Sequence, residues 1–384
     1  MTMELPAIAR IAAALVAALL ISFIATPVVK SIAQMVGAVD VPKDNRRMHN
    51  HPIPRMGGLA IFLGFLLSTL IFVPMSSSMR GMLLGGVIIV ILGIFDDIYA
   101  LPALPKLLVQ IAAALVAVLH GNVIQVLSNP NIFSENPYWT LGSLAVPLSV
   151  IWIVAITNAV NLIDGLDGLA VGVATISSLT MLVIAMLVSE NVVALMMAAL
   201  AGGCIGFMPY NLNPAKIFMG DTGSTFLGFV LATVSIQGLF KFYTIISFAV
   251  PFLMLGLPLF DTCFAILRRL AKGQSPMAPD RSHVHHRLID MGFNQKQAVA
   301  ILYVISAILG LSAVVLTTSG ALKAMVLLCA LCLAGLISGK IFLSHNENHQ
   351  EKTKEKESND HAIESHDDLR DPPGGGEDGP SGKG

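Results

Sequence analysis

The stretch Asn158 to Ala170 reads NAVNLIDGLDGLA and sets two amides, Asn158 and Asn161, and two carboxylates, Asp164 and Asp167, three residues apart. It lies between two long apolar runs and holds no Lys or Arg. Acids beside such runs are costly to place and mark function. Asn and Asp oxygens at this spacing suit a hard cation such as Mg²⁺, which takes one or two carboxylates and keeps some of its water. Gly165 and Gly168 would break the helix and let a ligand approach the backbone. The plainer reading, a polar turn between helices, fits poorly with two acids that have no basic partner in the loop.

Three further clusters have the same character. In FDDIYALPALPK (95–106), Asp96 and Asp97 are adjacent at a helix end, where negative charge is disfavoured. Neighbouring helical residues point about 100° apart, so the two carboxylates are expected to do different work. One would bind metal while the other contacts substrate or accepts a proton. Lys106 either meets a phosphate or anchors its helix at the interface. In IFMGDTGSTFLG (217–228), Asp221 stands between Gly220 and Gly223 at a helix start, where backbone N–H groups favour anions. Phe218 is an interfacial aromatic or a stacking platform for a base. In DRSHVHHRLIDMG (280–292), a helix capped by Ser282 would align His283, His286 and Arg287 on one face and turn His285 away. That cationic face suits phosphate oxygens better than zinc, with Arg287 able to bind them bidentately. Asn294 and Gln297 read as a capping box for the helix that follows.

These groups need elements to hold them. The chain of 384 residues is 55% hydrophobic and 12% charged, whereas soluble domains carry about 25% charged residues. It is therefore expected to be an all-α polytopic membrane protein. A helix needs roughly 20 apolar residues to cross a bilayer, and about 10–11 runs qualify: 5–29, 56–74, 80–95, 104–120, 142–160, 168–188, 191–208, 224–240, 243–262, 297–317 and 320–343. The first is too long for a signal peptide and lacks a cleavage pattern. Residues 344–384 are polar and Gly/Pro-rich and are expected to form a disordered tail beside the catalytic domain, 1–343. The four cysteines lie in or beside apolar runs and indicate neither disulfides nor zinc. No basic patch suits nucleic acid.

Positive charge sets orientation. Thirteen Lys and Arg fall in the connections after odd-numbered helices, against four (Arg10, Arg80, Lys241, Lys323) on the other side. The N-terminus is expected outside and the C-terminus in the cytoplasm. All the polar clusters, including 40–58, then share the cytoplasmic face, which suits an interfacial active site. An ion-coupled transporter would instead place its ionisable groups near the midplane.

Five pieces, PRMGG (54–58), FDDIYAL (95–101), NAVNLIDGLDGLA, FMGDTGSTFLG (218–228) and SHVHHRL (282–288), together resemble the polyprenyl-phosphate N-acetylhexosamine-1-phosphate transferase superfamily of MraY, WecA and TagO. Ala100, where the MraY branch typically has Lys, and the interrupted histidine run point to the WecA/TagO branch. The resemblance implies transfer of GlcNAc-1-phosphate from UDP-GlcNAc to undecaprenyl phosphate at a bacterial plasma membrane. The alternative within the family is a phospho-MurNAc-pentapeptide transferase. It further implies Mg²⁺, or Mn²⁺ in its place, on Asp221, and uracil against Phe218, Gly165, Leu166 and Asp167. Asp96, Asp97, Asn161 and Asp164 would line the metal and phosphate site, with His285, His286 and Arg287 on the pyrophosphate. A homodimer is compatible with this reading.

Overall fold

The computed structural model describes residues 5–41, 52–128, 138–238, 246–273 and 283–317. The elements run α1 (Leu5–Met35), β1 (Val39–Asp40), β2 (Ile53–Pro54), α2 (Gly58–Phe72), α3 (Ser77–Tyr99), α4 (Ala103–Leu119), β3 (Val126–Ser128) and β4 (Tyr138–Thr140). They continue with α5 (Ala145–Leu162), α6 (Leu169–Leu187), α7 (Asn191–Asn211), α8 (Gly220–Gly238), α9 (Ile246–Met254), α10 (Gly256–Ala271), α11 (Val284–Asp290) and α12 (Gln295–Thr317). This is an all-α polytopic membrane protein; among the described residues, strands are confined to two short antiparallel ribbons, β1–β2 and β3–β4. Among the described residues six helices are long and apolar enough to span a bilayer: α1, α3, α5, α6, α7 and α12. Lipid offers no hydrogen bonds, so a spanning segment must satisfy its own backbone, and a helix does this locally.

The bundle is built around α8. Every one of its residues is buried except Asp221, which is half-buried at its first turn. Helices α2, α3, α5 and α6 surround it, and a helix enclosed in this way is apolar all round. Hydroxyls in its last turns are satisfied within the helix: Thr233 donates to the Phe229 carbonyl at 2.6 Å and Ser235 to that of Ala232 at 2.7 Å. Small residues let neighbouring backbones touch it, and a Cβ on Gly58 would sit 1.9 Å from the Cα of Gly223. Outside this layer, α1 packs on α7 and α2, and α12 on α6 and α9.

The polar connections gather at one end of the bundle. Gly57 N–H donates to the Phe218 carbonyl at 2.9 Å, joining the α1–α2 and α7–α8 connections. Asn213 donates to Asp167 at 2.9 Å, joining the latter to the α5–α6 loop. The opposite end is closed by amides: Asn122 donates to the Ser78 carbonyl at 2.9 Å, and Gln237 to Asn122 at 2.6 Å.

The segment 243–262, read as one helix, is divided. Helix α9 ends at Met254, α10 starts at Gly256, and Pro251 and Pro258 flank the break. Proline cannot donate to the preceding turn, so a continuous helix is disfavoured there. Helix α10 then runs to Ala271, nine residues past the expected end of the span at 262, and carries Arg268 and Arg269 in its last turn. The expected capping box of α12 is present, with reciprocal bonds between Asn294 and Gln297, both 2.9 Å. The helix expected at 320–343 and the tail 344–384 lie outside the described residues.

Candidate active site

A cavity of about 290 Å³ opens at the polar end. The last turn of α5 contributes Asn161 to its wall, the α5–α6 loop contributes Asp164, Gly165, Leu166 and Asp167, and the entry to α8 contributes Phe218, Met219, Gly220 and Asp221. Asp40, Arg55, Asn211, His286 and Gln295 complete it.

Asp96 and Asp97 serve different partners, as their angular separation requires. Asp96 accepts the Leu101 N–H at 2.7 Å and the Lys106 ammonium at 2.7 Å. Lys106 also reaches Asp221 at 3.5 Å, so one cation links two acids beside the cavity. Asp97 turns the other way and is buried. Its carboxylate accepts Asp221 N–H at 2.9 Å, Thr222 N–H at 3.1 Å and the Thr222 hydroxyl at 2.7 Å. It therefore caps the N-terminus of α8 from a different helix, satisfying donors that α8 cannot satisfy itself. Gly220 makes this possible: its φ is +71°, and a Cβ there would meet the Asp97 carboxylate at 2.4 Å. Neither Asp96 nor Asp97 is among the residues lining the cavity, contrary to the expectation for both. Asp97 positions Asp221.

The NAVNLIDGLDGLA stretch is divided among several tasks. Asn158 donates to Gln110 at 2.7 Å and ties α5 to α4. Asn161 faces the cavity and accepts the Ser224 hydroxyl at 2.7 Å. Asp167 is oriented by Asn213 and by the Ala215 N–H at 3.0 Å, a partnership the sequence does not show because Asn213 lies 46 residues away. Asp164 has no such donors among the described residues. Burial, and then the negative charge of Asp221, push its carboxyl up to about 8. Proximity of like charges raises the cost of ionising either.

The histidine segment departs from the expected face. Ser282 lies outside the described residues, and His283 occupies the N-cap position of α11 with extended backbone, φ −61° and ψ 150°. Its ring therefore leaves the α11 face and pairs through Nδ1 with Asp261 of α10 at 2.8 Å. Asp261 also accepts the Val284 N–H at 2.9 Å, so it caps α11. His285 is buried, lies parallel to His283 at 5.9 Å between ring centres, and packs onto Gly165. Burial and the neighbouring His286 push its pKa down to about 4, leaving it neutral near pH 7. It does not reach the cavity as a pyrophosphate ligand would, and Arg287 is exposed away from the lining. Only His286 of the three enters the wall.

Apart from His286, the lining side chains that could bind a cation offer oxygens, and among the described residues no three His, Cys, Asp or Glu side chains gather around one point. Zinc is a poor match for such a set. Mg²⁺ fits it, because it is usually held by one or two carboxylates together with substrate phosphates. Asp221 and Asp164, which share the cavity wall, supply that number. Sequence reasoning had left Arg55, Asp40, Asn211 and Gln295 unassigned. Arg55 belongs to the PRMGG motif, but the residues that share the cavity with it come from distant parts of the chain.

Residues 79–239 match glycosyl transferase family 4. The chain is 43% identical over 311 residues to a probable undecaprenyl-phosphate N-acetylglucosaminyl 1-phosphate transferase of Bacillus subtilis, covering 81% of this chain and 86% of that protein. It is 35% identical over 319 residues to a decaprenyl-phosphate N-acetylglucosaminephosphotransferase of Mycobacterium tuberculosis, covering 74% and 77%. A phospho-N-acetylmuramoyl-pentapeptide-transferase of Staphylococcus aureus is 29% identical over 317 residues, covering 77% and 95%.

Proposed function

The chain belongs to glycosyl transferase family 4, within the WecA/TagO branch of the polyprenyl-phosphate N-acetylhexosamine-1-phosphate transferases; from that membership we propose that it transfers GlcNAc-1-phosphate from UDP-GlcNAc to undecaprenyl phosphate, releasing UMP. One geometric observation carries the reading: Asp221, Asp164 and Asp167 face a single cavity with Phe218 and His286, at the polar end of a bundle made for lipid.

An oxygen of the lipid phosphate attacks the β-phosphorus of the nucleotide sugar. A new P–O bond forms, the bond from the β-phosphorus to the bridging oxygen breaks, and UMP leaves. Both reactants are anionic, so positioning and charge neutralisation carry most of the catalysis. Mg²⁺ held by Asp221 would neutralise diphosphate charge. Phe218 offers a face to the uracil, and Asp167, held rigid by Asn213 and Ala215, accepts from the base edge. His286 offers a ring N–H to the diphosphate. Asp96 and Lys106 hold a second charged group beside Asp221, where the acceptor phosphate can be oriented. The cavity end faces the cytoplasm in this reading, in keeping with the positive charge on those connections.

The transfer of phospho-MurNAc-pentapeptide is the second reading, favoured by the likeness to the Staphylococcus aureus protein. Purified protein with undecaprenyl phosphate, Mg²⁺ and each labelled nucleotide sugar separates the two. Label entering lipid from UDP-GlcNAc supports the first. Label entering only from UDP-MurNAc-pentapeptide replaces it, and label from neither removes both.

A further inference from the structure

We propose that Arg55 is a phosphate-binding residue of this cavity, its guanidinium held in place for an anionic oxygen of a bound substrate. The inference rests on the transferase reading and adds a residue to it. Arg55 is half-buried in the cavity wall, and its Nε is buried with no hydrogen-bond partner among the described residues. Acids are near enough for Asp164 and Asp97 to feel its charge. Yet the ion pairs among the described residues join Lys106 to Asp96 and Asp221, and His283 to Asp261, and leave Arg55 out.

The backbone explains why the side chain does not relax onto those acids. Arg55 N–H donates to the Ala38 carbonyl at 2.8 Å. The Pro54 carbonyl accepts Phe218 N–H at 2.8 Å, and Gly58 N–H donates to the Met219 carbonyl at 2.8 Å. Residues 54–58 thus form a strap bonded on one side to the end of α1 and on the other to the segment leading into Asp221. Within it Met56 is buried with φ +71°, a left-handed conformation that costs a non-glycine residue free energy. Such strain persists where the surroundings over-determine it, and it collects at ligand-binding sites. The strap and Asp221 therefore keep a constant relation across the cavity.

Chemistry then narrows the ligand. A guanidinium cannot escape the cost of partial burial by losing its proton, as a lysine can. Its donors form a planar fork matched to phosphate oxygens. A residue serving only to neutralise the acids would pair with them, as Lys106 does. The phosphate can come from the nucleotide's diphosphate or from the polyprenyl phosphate, and the two sources are separable.

The test uses the full chain, purified in lipid nanodiscs, as wild type, Arg55→Ala and Arg55→Lys. Initial rates are measured while each substrate is varied, and UDP binding is measured by calorimetry. We expect kcat/KM for Arg55→Ala to fall at least 100-fold, with Arg55→Lys intermediate because it keeps the charge without the fork. A matching loss of UDP affinity places the guanidinium on the nucleotide diphosphate. Unchanged UDP affinity with a raised KM for polyprenyl phosphate places it on the acceptor. The proposal is overturned if both KM values and UDP affinity stay within twofold of wild type, even where the variant melts at a lower temperature or turns over more slowly. If Arg55→Ala does not fold, the same criteria apply to Arg55→Lys. If wild type transfers nothing from UDP-GlcNAc, the functional reading fails separately, and affinities for both UDP and polyprenyl phosphate that are equal in wild type and variant still overturn the role of Arg55.

Discussion

Asp96 and Asp97 show how little adjacency says about role. One joins Lys106 and, through it, Asp221; the other is consumed in capping α8. Replacing Asp97 with Ala should destabilise the protein by about 1–2 kcal/mol, the usual cost of a lost helix cap, read as a lower unfolding temperature in detergent. Asp221→Asn keeps its size and the N–H that Asp97 accepts, but removes charge at the cavity. It should lower transfer more than about 100-fold with the unfolding temperature near wild type, and wild-type turnover would refute the role assigned to it. Asp164 makes a pH prediction. Its carboxyl is raised to about 8, so below that pH it is mostly protonated until a cation binds. Binding must then release a proton. Apparent Mg²⁺ affinity should rise with pH between 6 and 8 and level off above, by calorimetry in buffers of different ionisation enthalpy. An affinity flat across that range would exclude Asp164 from the cation site.

At the scale of elements, the seven residues of α11 are too few to stand alone. Asp261 holds their N-terminus through Val284 and His283, and His285 then lies against Gly165 on the cavity loop. This contact is close: a Cβ at residue 165 would sit 2.2 Å from His285 Nε2. Gly165→Ala should push α11 and the loop apart, with an overpacking cost of about 1–3 kcal/mol. Transfer should fall while the variant remains membrane-inserted, and unchanged kinetics would show that α11 does not position the loop. The capping box of α12 was legible because its two side chains and two N–H groups lie within four residues. The face of α11 was not, because it depended on whether His283 is the first helical residue or the cap before it.

At the scale of the molecule, a fully enclosed α8 carries one half-buried acid to the cavity end, where the polar connections gather. The proposed orientation puts that end in the cytoplasm. In a background lacking the native cysteines, Lys296→Cys on the cavity side should resist a membrane-impermeant maleimide in intact cells and react once they are opened. Arg80→Cys, at the far end, should react in intact cells. The reverse pattern would invert the protein in the membrane and remove the cytosolic nucleotide sugar from its substrates.

Much of the architecture is decided by local quantities. The length of an apolar run determines that a segment is a helix in lipid, the breaks between runs determine its neighbours, and motif spacing brings Asp164, Asp167 and Asp221 to notice. Tertiary structure decided which polar groups face the cavity. That choice turns on the rotation of each helix and on close backbone approaches, so Asp97 is spent on α8, His283 on α10, and Arg55 is left facing the cavity. A rotation of a few tens of degrees would exchange such roles without altering a single residue, which is why spacing alone cannot assign them.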